Sequence, residues 1–190
     1  MKPQTVLDFW FGAPDSAEYG QPRKCWFEKN PVFDEEIRTR FSDTLTAAAG
    51  GRLADWENAA GSLALIIVLD QFPRNLFRND TRAFATDALA LSHAQRVVEQ
   101  GWDARLTPLQ RVFAYLPYEH SEDLAMQDRA VNLFAVLTQA YASFDGYLDY
   151  AERHREVIRR FGRFPHRNAS LGRASTAMES DYLSQPGAGF

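Results

Sequence analysis

The chain has 190 residues, 45% of them apolar and 13% aromatic, which suits one domain with a sizeable core. Its formal charge of -4 at pH 7 argues against a general nucleic-acid binder, because such proteins are usually basic. The most apolar run, residues 63–69, is too short to cross a membrane. We therefore predict a soluble protein that binds neither nucleic acid nor membrane.

The predicted compartment is the cytoplasm. The N-terminal residues carry Asp8 inside a short apolar stretch and no small-residue cleavage site, unlike a signal peptide. Cys25 is the only cysteine, so the chain cannot form an internal disulfide, and a lone thiol suits a reducing compartment. No local partner marks this cysteine as a reactive thiol.

Capping residues, prolines and apolar periodicity indicate the helices in chain order. Residues 30–49 begin with Asn30 as a cap and Pro31 at the first helical position, and apolar residues then recur at helical spacing. Residues 62–72 are apolar on every side, so periodicity alone cannot distinguish a buried strand from a buried helix. We predict a helix, because no second strand candidate can pair with it, and we expect Pro73 to end it.

Three further helices are predicted in the middle of the chain. The first covers about residues 80–100 and opens on an Asp-Thr pair. Thr107 followed by Pro108 is a cap-and-proline start, and we expect that helix to end at Pro117. Ser121, with two carboxylates directly after it, predicts the start of the next helix.

The last part of the chain carries two more helix patterns, over about residues 146–161 and 176–183. Helices joined by short loops pack antiparallel, as in bundles and helix-pair solenoids, and no strict internal repeat is present. We therefore predict an all-α fold of antiparallel helix pairs. It forms a single domain over residues 1–184, followed by a flexible tail over residues 185–190.

Polar side chains beside aromatics are concentrated in three segments, each at a predicted helix end, where unpaired backbone groups border clefts. The ligand-binding candidates are Arg74, Asn75, Glu119, His120, Arg163, His166, Arg167 and Asn168. One interpretation is a structural lock, in which Arg163 or Arg167 pairs with Glu119 or Glu122 between helix ends. The other is a pocket whose arginines hold an anionic ligand. Both stay open at this point.

The histidines differ in position along the helices. His120 and His166 lie on predicted turns. If they share a cleft with Glu119 or Glu122, these four residues are the catalytic candidates for acid–base chemistry. His154 falls on the apolar face of its predicted helix, so we expect it to point toward the core with one satisfied hydrogen bond.

The sequence contains no signature of a metal or cofactor site. There is no HExxH and no cysteine pair, and adjacent acidic residues after His120 point in different directions. The GxSxG, GxxxxGK and GxGxxG motifs are absent as well. We therefore predict neither a metal nor a cofactor.

Two of the polar segments share a short sequence similarity. Residues 72–75, Phe-Pro-Arg-Asn, resemble residues 164–168, Phe-Pro-His-Arg-Asn. We favour a shared helix-ending turn over an internal duplication as the explanation.

Five motifs, spread over nearly the whole chain, resemble those of one bacterial family. They are Leu-Asp-Phe-Trp-Phe-Gly at 7–12, Cys-Trp-Phe-Glu-Lys at 25–29 followed by Phe33-Asp34, Leu-Asp-Gln-Phe-Pro-Arg-Asn at 69–75, Tyr-Leu-Pro-Tyr-Glu-His-Ser-Glu at 115–122, and Phe-Gly-Arg-Phe-Pro-His-Arg-Asn at 161–168. The family is the uncharacterised domain of unknown function 924. The resemblance implies an all-helical, tetratricopeptide-like fold. Because the family has no established activity, it implies no catalytic residue.

Three classes of function stay open. We predict a binding module in which an Arg/His/Glu-lined cleft holds an anionic peptide or small molecule. The first alternative is an enzyme acting on a small anionic substrate by His/Glu acid–base chemistry. The second is an interaction protein whose polar cluster is purely structural. Trp10, Phe11, Trp26 and Phe27 are predicted to lie in an inner core, with the face of a homodimer as the alternative.

Overall fold

The computed structural model describes residues 1–189, and this part of the chain is built from helices and loops without a strand. The α-helices are α1 Pro3–Phe11, α2 Pro31–Ala49, α3 Ala59–Ile66, α4 Phe72–Leu76, α5 Asp87–Glu99, α6 Pro108–Glu119, α7 Leu124–Ala140, α8 Asp145–Phe161 and α9 Ala177–Leu183. Short 3-10 turns lie at Lys24–Trp26, Ala54–Trp56, Thr81–Ala83, Trp102–Arg105, Ala142–Phe144 and Pro165–Arg167. The predicted all-α class is confirmed. Within these residues, no helix combines the length and the apolar character that a membrane span requires.

The helices belong to two compact units. The first unit comprises residues 1–78 and 82–117, and the second comprises residues 79–81 together with the chain from residue 118 onward. A single domain over residues 1–184 and a flexible tail over residues 185–190 stay predictions; Phe190 lies outside the described residues.

Two helix starts follow the capping chemistry that the sequence predicts. The Asn30 side chain accepts hydrogen bonds from the backbone N–H groups of Val32 and Phe33, at 3.1 Å each, and α2 begins at Pro31. At the start of α6, the Thr107 hydroxyl accepts from the Gln110 N–H at 3.3 Å, and the Gln110 side chain accepts from the Thr107 N–H at 3.0 Å. Reciprocal bonds of this kind satisfy two backbone donors that a helix start leaves unpaired.

The prediction that Pro73 ends its helix is wrong. The helix runs from α3 through a π-helical segment, Ile67–Gln71, directly into α4. A proline has no N–H to donate to a carbonyl of the preceding turn. The Thr86 hydroxyl donates to the carbonyl of Leu69, four residues before Pro73, at 2.5 Å, and so supplies a donor in this turn. The sequence similarity between residues 72–75 and 164–168 therefore does not reflect a shared helix-ending turn, because only the second segment follows a helix end.

Three other predicted helix boundaries differ from the structure. Helix α6 passes through Pro117 and ends two residues later. The cap of α7 is Asp123, whose carboxylate accepts from the N–H groups two and three residues on, and not Ser121. The helix predicted from about residue 80 begins at Asp87, because residues 81–83 form a separate 3-10 turn. Two of these boundaries differ by two residues and the third by about seven, but each helix itself is present.

An aromatic core fills the first unit. The rings of Phe9, Phe33 and Phe41 pack at centroid distances of 4.9–5.0 Å, and Trp10 packs against Phe72 at 5.8 Å. These five side chains are at most 8% exposed. Their burial draws together α1, α2 and the continuous α3–α4 helix.

The predicted inner position of the N-terminal aromatics is confirmed for Trp10, Phe11 and Trp26, which are 0%, 2% and 6% exposed. It is wrong for Phe27, which is 60% exposed. Half-burial raises the pKa of Cys25 beside them, so this thiol holds less thiolate than an ordinary cysteine.

The second unit is organised around the pair of α7 and α8, which follow each other in the chain and pack together. Ala151, His154 and Ile158 form the buried face of α8, as its apolar spacing predicts. Phe164, which is fully buried just after α8, packs against Val157 and Ile158 in the same small core. This core positions the polar residues described next.

Candidate functional site

Arg74 and Asn75, two of the predicted ligand-binding residues, lie in the first unit and bind carboxylates there. The Arg74 guanidinium donates to both oxygens of Asp87, at 2.8 and 2.9 Å, and lies 3.2 Å from the buried Asp70 carboxylate. Burial lowers the pKa of Arg74, but the two aspartates outweigh it and raise this pKa overall. Asn75 donates to Asp34 at 2.7 Å. Two carboxylates beside one arginine make this place unfavourable for an anionic ligand.

The predicted structural lock exists in the second unit, but between other partners. Glu122 accepts both guanidinium arms of Arg173, at 2.6 and 2.9 Å, and the backbone N–H of Phe164 at 2.7 Å. Arg163 donates to both oxygens of Glu179, at 2.6 and 2.7 Å. Arg163 therefore binds Glu179 and not the expected Glu119 or Glu122, and Glu122 binds Arg173. A pairing of Arg167 with Glu119 stays a prediction.

Asn168 connects these two ion pairs into one network. Its side-chain oxygen accepts from Arg173 at 2.9 Å, and its side-chain nitrogen donates to Glu179 at 3.4 Å. We call the five residues Glu122, Arg163, Asn168, Arg173 and Glu179 the ion-pair network. It holds the segment after α8 and the start of α9 to the loop that precedes α7.

The carboxylates of the ion-pair network are strongly held in their ionised form. Burial raises the pKa of Glu122, but hydrogen bonds from Arg173 and from the Phe164 N–H outweigh it, so this pKa lies below its ordinary value. Hydrogen bonds from Arg163 and from the Thr176 N–H lower the pKa of Glu179 to about 2. Both carboxylates are therefore ionised at neutral pH, as a permanent ion pair requires.

A second polar assembly lies beside the ion-pair network, around the ring of Phe164. The ring of His154 lies 5.5 Å from it, that of His166 also 5.5 Å, and the guanidinium carbon of Arg167 stands 4.5 Å above its centre. The ring of His120 is 6.5 Å from that of His154. Arg167, 7% exposed, donates to the backbone carbonyl of His120 at 3.0 Å.

Glu119 completes this assembly. Its carboxylate lies 3.1 Å from Nδ1 of His154, which also lies 2.8 Å from the backbone carbonyl of Tyr150. Glu119 is 3% exposed and His154 is 6% exposed. We call Glu119, His120, His154, His166 and Arg167 the histidine cluster.

The histidine cluster combines a buried interior with an accessible edge. His120 and His166 are half-buried, whereas the other three residues are buried. Gly189 lies directly against His166: a Cβ added at this glycine would come within 2.9 Å of the Cβ of His166. Among residues 1–189, no group of three or more His, Cys, Asp or Glu side chains is arranged to hold a metal ion.

Burial sets the charge of His154. It lowers the pKa of this imidazole to about 3, and the positive charges of His120, His166 and Arg167 act in the same direction, while the hydrogen bond to Tyr150 opposes them. His154 is therefore neutral at physiological pH. A neutral imidazole beside a carboxylate can accept a proton, or it can orient a neighbouring group.

This lowered pKa predicts a pH dependence of stability. An unfolded imidazole binds a proton near pH 6.5 but folded His154 does so only near pH 3, so the unfolded state is favoured as the pH falls through this window. We expect the free energy of unfolding to fall by up to about 1.4 kcal/mol per pH unit there. Urea unfolding at several pH values should show this slope for the wild type and a smaller slope for His154→Gln. The control variant His93→Gln changes a histidine of the first unit, so it should retain the share of the pH dependence that is due to His154. Equal slopes for the wild type and His154→Gln would contradict the assignment.

The structure thus brings together seven of the sequence-predicted site residues in the second unit: Glu119, His120, Glu122, Arg163, His166, Arg167 and Asn168. It adds three residues that the site prediction left out, namely His154, Arg173 and Glu179. The Thr-x-x-Glu pattern at the start of α9 could have identified Glu179 as a capping residue. No local sequence pattern indicates the ion pair between Glu179 and Arg163.

The fold and these polar assemblies define an all-helical protein whose second unit contains a partly exposed ion-pair network and a largely buried histidine cluster. Residues 6–187 match the family described as "Bacterial protein of unknown function (DUF924)", and the chain belongs to this family. Its structure is similar to that of a protein of unknown function from Agrobacterium tumefaciens, with 42% sequence identity, 96% of each chain covered and a TM-score of 0.82. No curated protein matches the sequence. The family resemblance of the five motifs is confirmed, and its tetratricopeptide-like detail stays a prediction.

Proposed function

We propose that the protein binds a small anionic ligand at the histidine cluster of its second unit. The observation that carries this proposal is the convergence of His154, His166 and Arg167 around the ring of Phe164, with the ring of His120 6.5 Å from that of His154. Three of the chain's four histidines, which are separated by up to 46 positions in the sequence, therefore meet in one place with a permanent cation. Imidazolium and guanidinium groups bind carboxylates and phosphates through short, charge-assisted hydrogen bonds.

The ion-pair network reduces the set of residues that can bind the ligand. Arg163 and Arg173 already make two-armed contacts with Glu179 and Glu122, so they are structural in this proposal. Arg167 donates to the backbone carbonyl of His120 and directly follows His166 in the sequence. The ligand-binding residues that we retain are therefore His120, His166 and Arg167.

Sulfate is a suitable probe because its charge stays constant between pH 5.5 and 8, unlike that of phosphate. Only four histidines are present, so their imidazole signals can be followed individually by NMR. Sulfate should shift the signals of His120 and His166, and it should raise their pKa because an anion favours the imidazolium form. By linkage, sulfate should bind more tightly as the pH falls and these two imidazoles take up protons.

The fourth histidine, His93, provides the internal control. It belongs to the first unit, where burial lowers its pKa. His120→Gln and His166→Gln should each weaken sulfate binding about tenfold, whereas His93→Gln should leave it unchanged. If sulfate shifts all four histidines equally or none of them, the cluster is structural and the proposal is wrong.

A second candidate function is acid–base catalysis on a small anionic substrate. The observation that favours it is the 3.1 Å contact between Glu119 and the neutral His154. A carboxylate that orients an imidazole is a recurrent arrangement of a general base. This pairing differs from the sequence-based hypothesis, in which His120 or His166 was the acid–base residue.

One screen separates the two functions. Phosphorylated and carboxylated metabolites are tested for stabilisation of the protein in a thermal-shift assay, and each stabilising compound is then analysed for conversion. A compound that is bound and recovered unchanged supports the binding module. A compound that wild-type protein converts and His154→Gln does not convert supports the enzyme.

A further inference from the structure

The first unit contains a cavity of about 400 Å³ that is unrelated to the histidine cluster. It lies between α1, the loop that follows it, the start of α3 and the start of α6. A volume of this size falls in the range of pockets that bind small molecules. Apolar side chains make up one part of its wall, namely those of Leu7, Phe11, Leu63 and Leu106.

These four side chains form a fixed, water-excluding surface. They are between 0% and 8% exposed, so they are anchored in the core of the first unit behind the cavity. The loop after α1 closes one side, because Gly12 adopts a positive φ of 85° and the chain then turns back toward it. A Cβ on Gly12 would lie 2.8 Å from the backbone nitrogen of Tyr19, so this close turn depends on glycine.

The other part of the cavity wall carries hydrogen-bond donors. Arg105 is exposed and makes neither an ion pair nor a side-chain hydrogen bond within the described residues. Gln110 uses its side-chain oxygen to cap α6, which leaves its amide N–H groups for another acceptor. The wall includes no aspartate or glutamate among residues 1–189.

Arg105 differs in this respect from the paired arginines of the same unit. Arg74 binds Asp87, Arg78 binds Asp34, and Arg96 binds Glu57. An arginine with an available guanidinium, at the edge of a cavity with apolar walls and no carboxylate, is complementary to a molecule with one anionic end and one apolar end.

We infer that this cavity binds an organic carboxylate with an aliphatic body. The apolar body lies against Leu7 and Leu106, the more accessible of the apolar side chains, and the carboxylate accepts hydrogen bonds from Arg105 and Gln110. This site is independent of the proposed function, because it lies in the other unit and uses none of the same residues.

Octanoate is the probe, and isothermal titration calorimetry on the full chain is the measurement. Wild-type protein should bind octanoate with a dissociation constant in the millimolar range or tighter. Octan-1-ol, which has the same body without the charge, should bind about tenfold more weakly, because the charged hydrogen bonds to Arg105 are lost.

Two variants test the two ends of the site. Arg105→Gln should weaken octanoate binding about tenfold. Arg52→Gln is its matched control: Arg52 is also exposed in the first unit and also has no ion pair within the described residues, but it does not line the cavity. Ala60→Phe places a ring in the cavity from an exposed position of α3 and should abolish binding.

Ala59→Leu fills the cavity a second way if Ala60→Phe fails to fold. The inference is wrong if wild-type protein shows no binding of octanoate. It is equally wrong if the cavity-filling variant that folds binds octanoate as the wild type does, or if Arg105→Gln and Arg52→Gln have equal effects.

Discussion

Replacing Glu122 by alanine is expected to lower the free energy of unfolding by about 3 kcal/mol, the lower end of what breaking a buried ion pair costs. The carboxylate holds both arms of Arg173 and the N–H of Phe164. In the variant, the Arg173 guanidinium and the Phe164 N–H both lose their acceptor. The expected loss is at the lower end of this range because the side chains of Glu122 and Arg173 are 27% and 23% exposed. Water can therefore reach the groups that lose their partner.

Glu156→Ala is the matched control for this effect. Glu156 also accepts both arms of an arginine, Arg159, at 2.8 Å each. Those two side chains are 57% and 67% exposed, so solvent screens the pair. Urea unfolding should leave Glu156→Ala close to the wild type. Equal losses for Glu122→Ala and Glu156→Ala would show that the ion-pair network does not hold the second unit together.

A single methyl group at Gly61 should destabilise the protein by about 3 kcal/mol. Gly61 lies in the first turn of α3 and is buried. A Cβ built on it would overlap the backbone carbonyl of Trp56, which itself accepts from the Asn58 N–H at 2.8 Å. Because the collision is with backbone and not with a mobile side chain, the start of α3 must shift away from the Ala54–Trp56 turn.

Gly146→Ala makes the same substitution where no atom stands in the way. Gly146 lies in the first turn of α8, and nothing approaches within 4 Å of an added Cβ. Alanine there should be neutral or stabilise by about 0.5 kcal/mol, because it restricts the unfolded chain. Thermal and urea unfolding of the two variants should therefore give opposite signs. Similar stabilities would mean that the contact between Gly61 and Trp56 is not a tight one.

The ion-pair network bears directly on function. Basic and acidic residues near helix ends allow two interpretations, a lock or a ligand pocket, and the function that we propose assigns different residues to each. Arg163 and Arg173 belong to the lock, because each binds a carboxylate with two arms. The histidine cluster beside them is the part of the second unit in which we place the ligand. Variants of the lock should change stability first, and variants of His120 and His166 should change ligand binding first.

Local chemistry made several helices predictable from the sequence. The caps at Asn30 and Thr107 and the capping box at Thr176 each involve atoms no more than three residues apart, so their side chains identify the helix starts. The inward position of His154 is confirmed for the same kind of reason, because helical spacing places it on one face with Ala151 and Ile158. Helix α1 was not predicted, since Pro3 has no capping side chain before it.

Contacts between distant residues decided the rest. Pro73 does not end its helix, and the carbonyl of Leu69 in the preceding turn accepts a hydrogen bond from Thr86, 17 positions further along the chain. The bond from Arg173 to Glu122 spans 51 positions, and that from the Phe164 N–H to Glu122 spans 42. The sequence by itself determined the helical class and the regions where polar residues gather, because capping and periodicity act within a few residues. Only the tertiary structure decided which arginine binds which carboxylate and which histidines meet, because an ion pair depends on distance in space and leaves no periodic pattern along the chain.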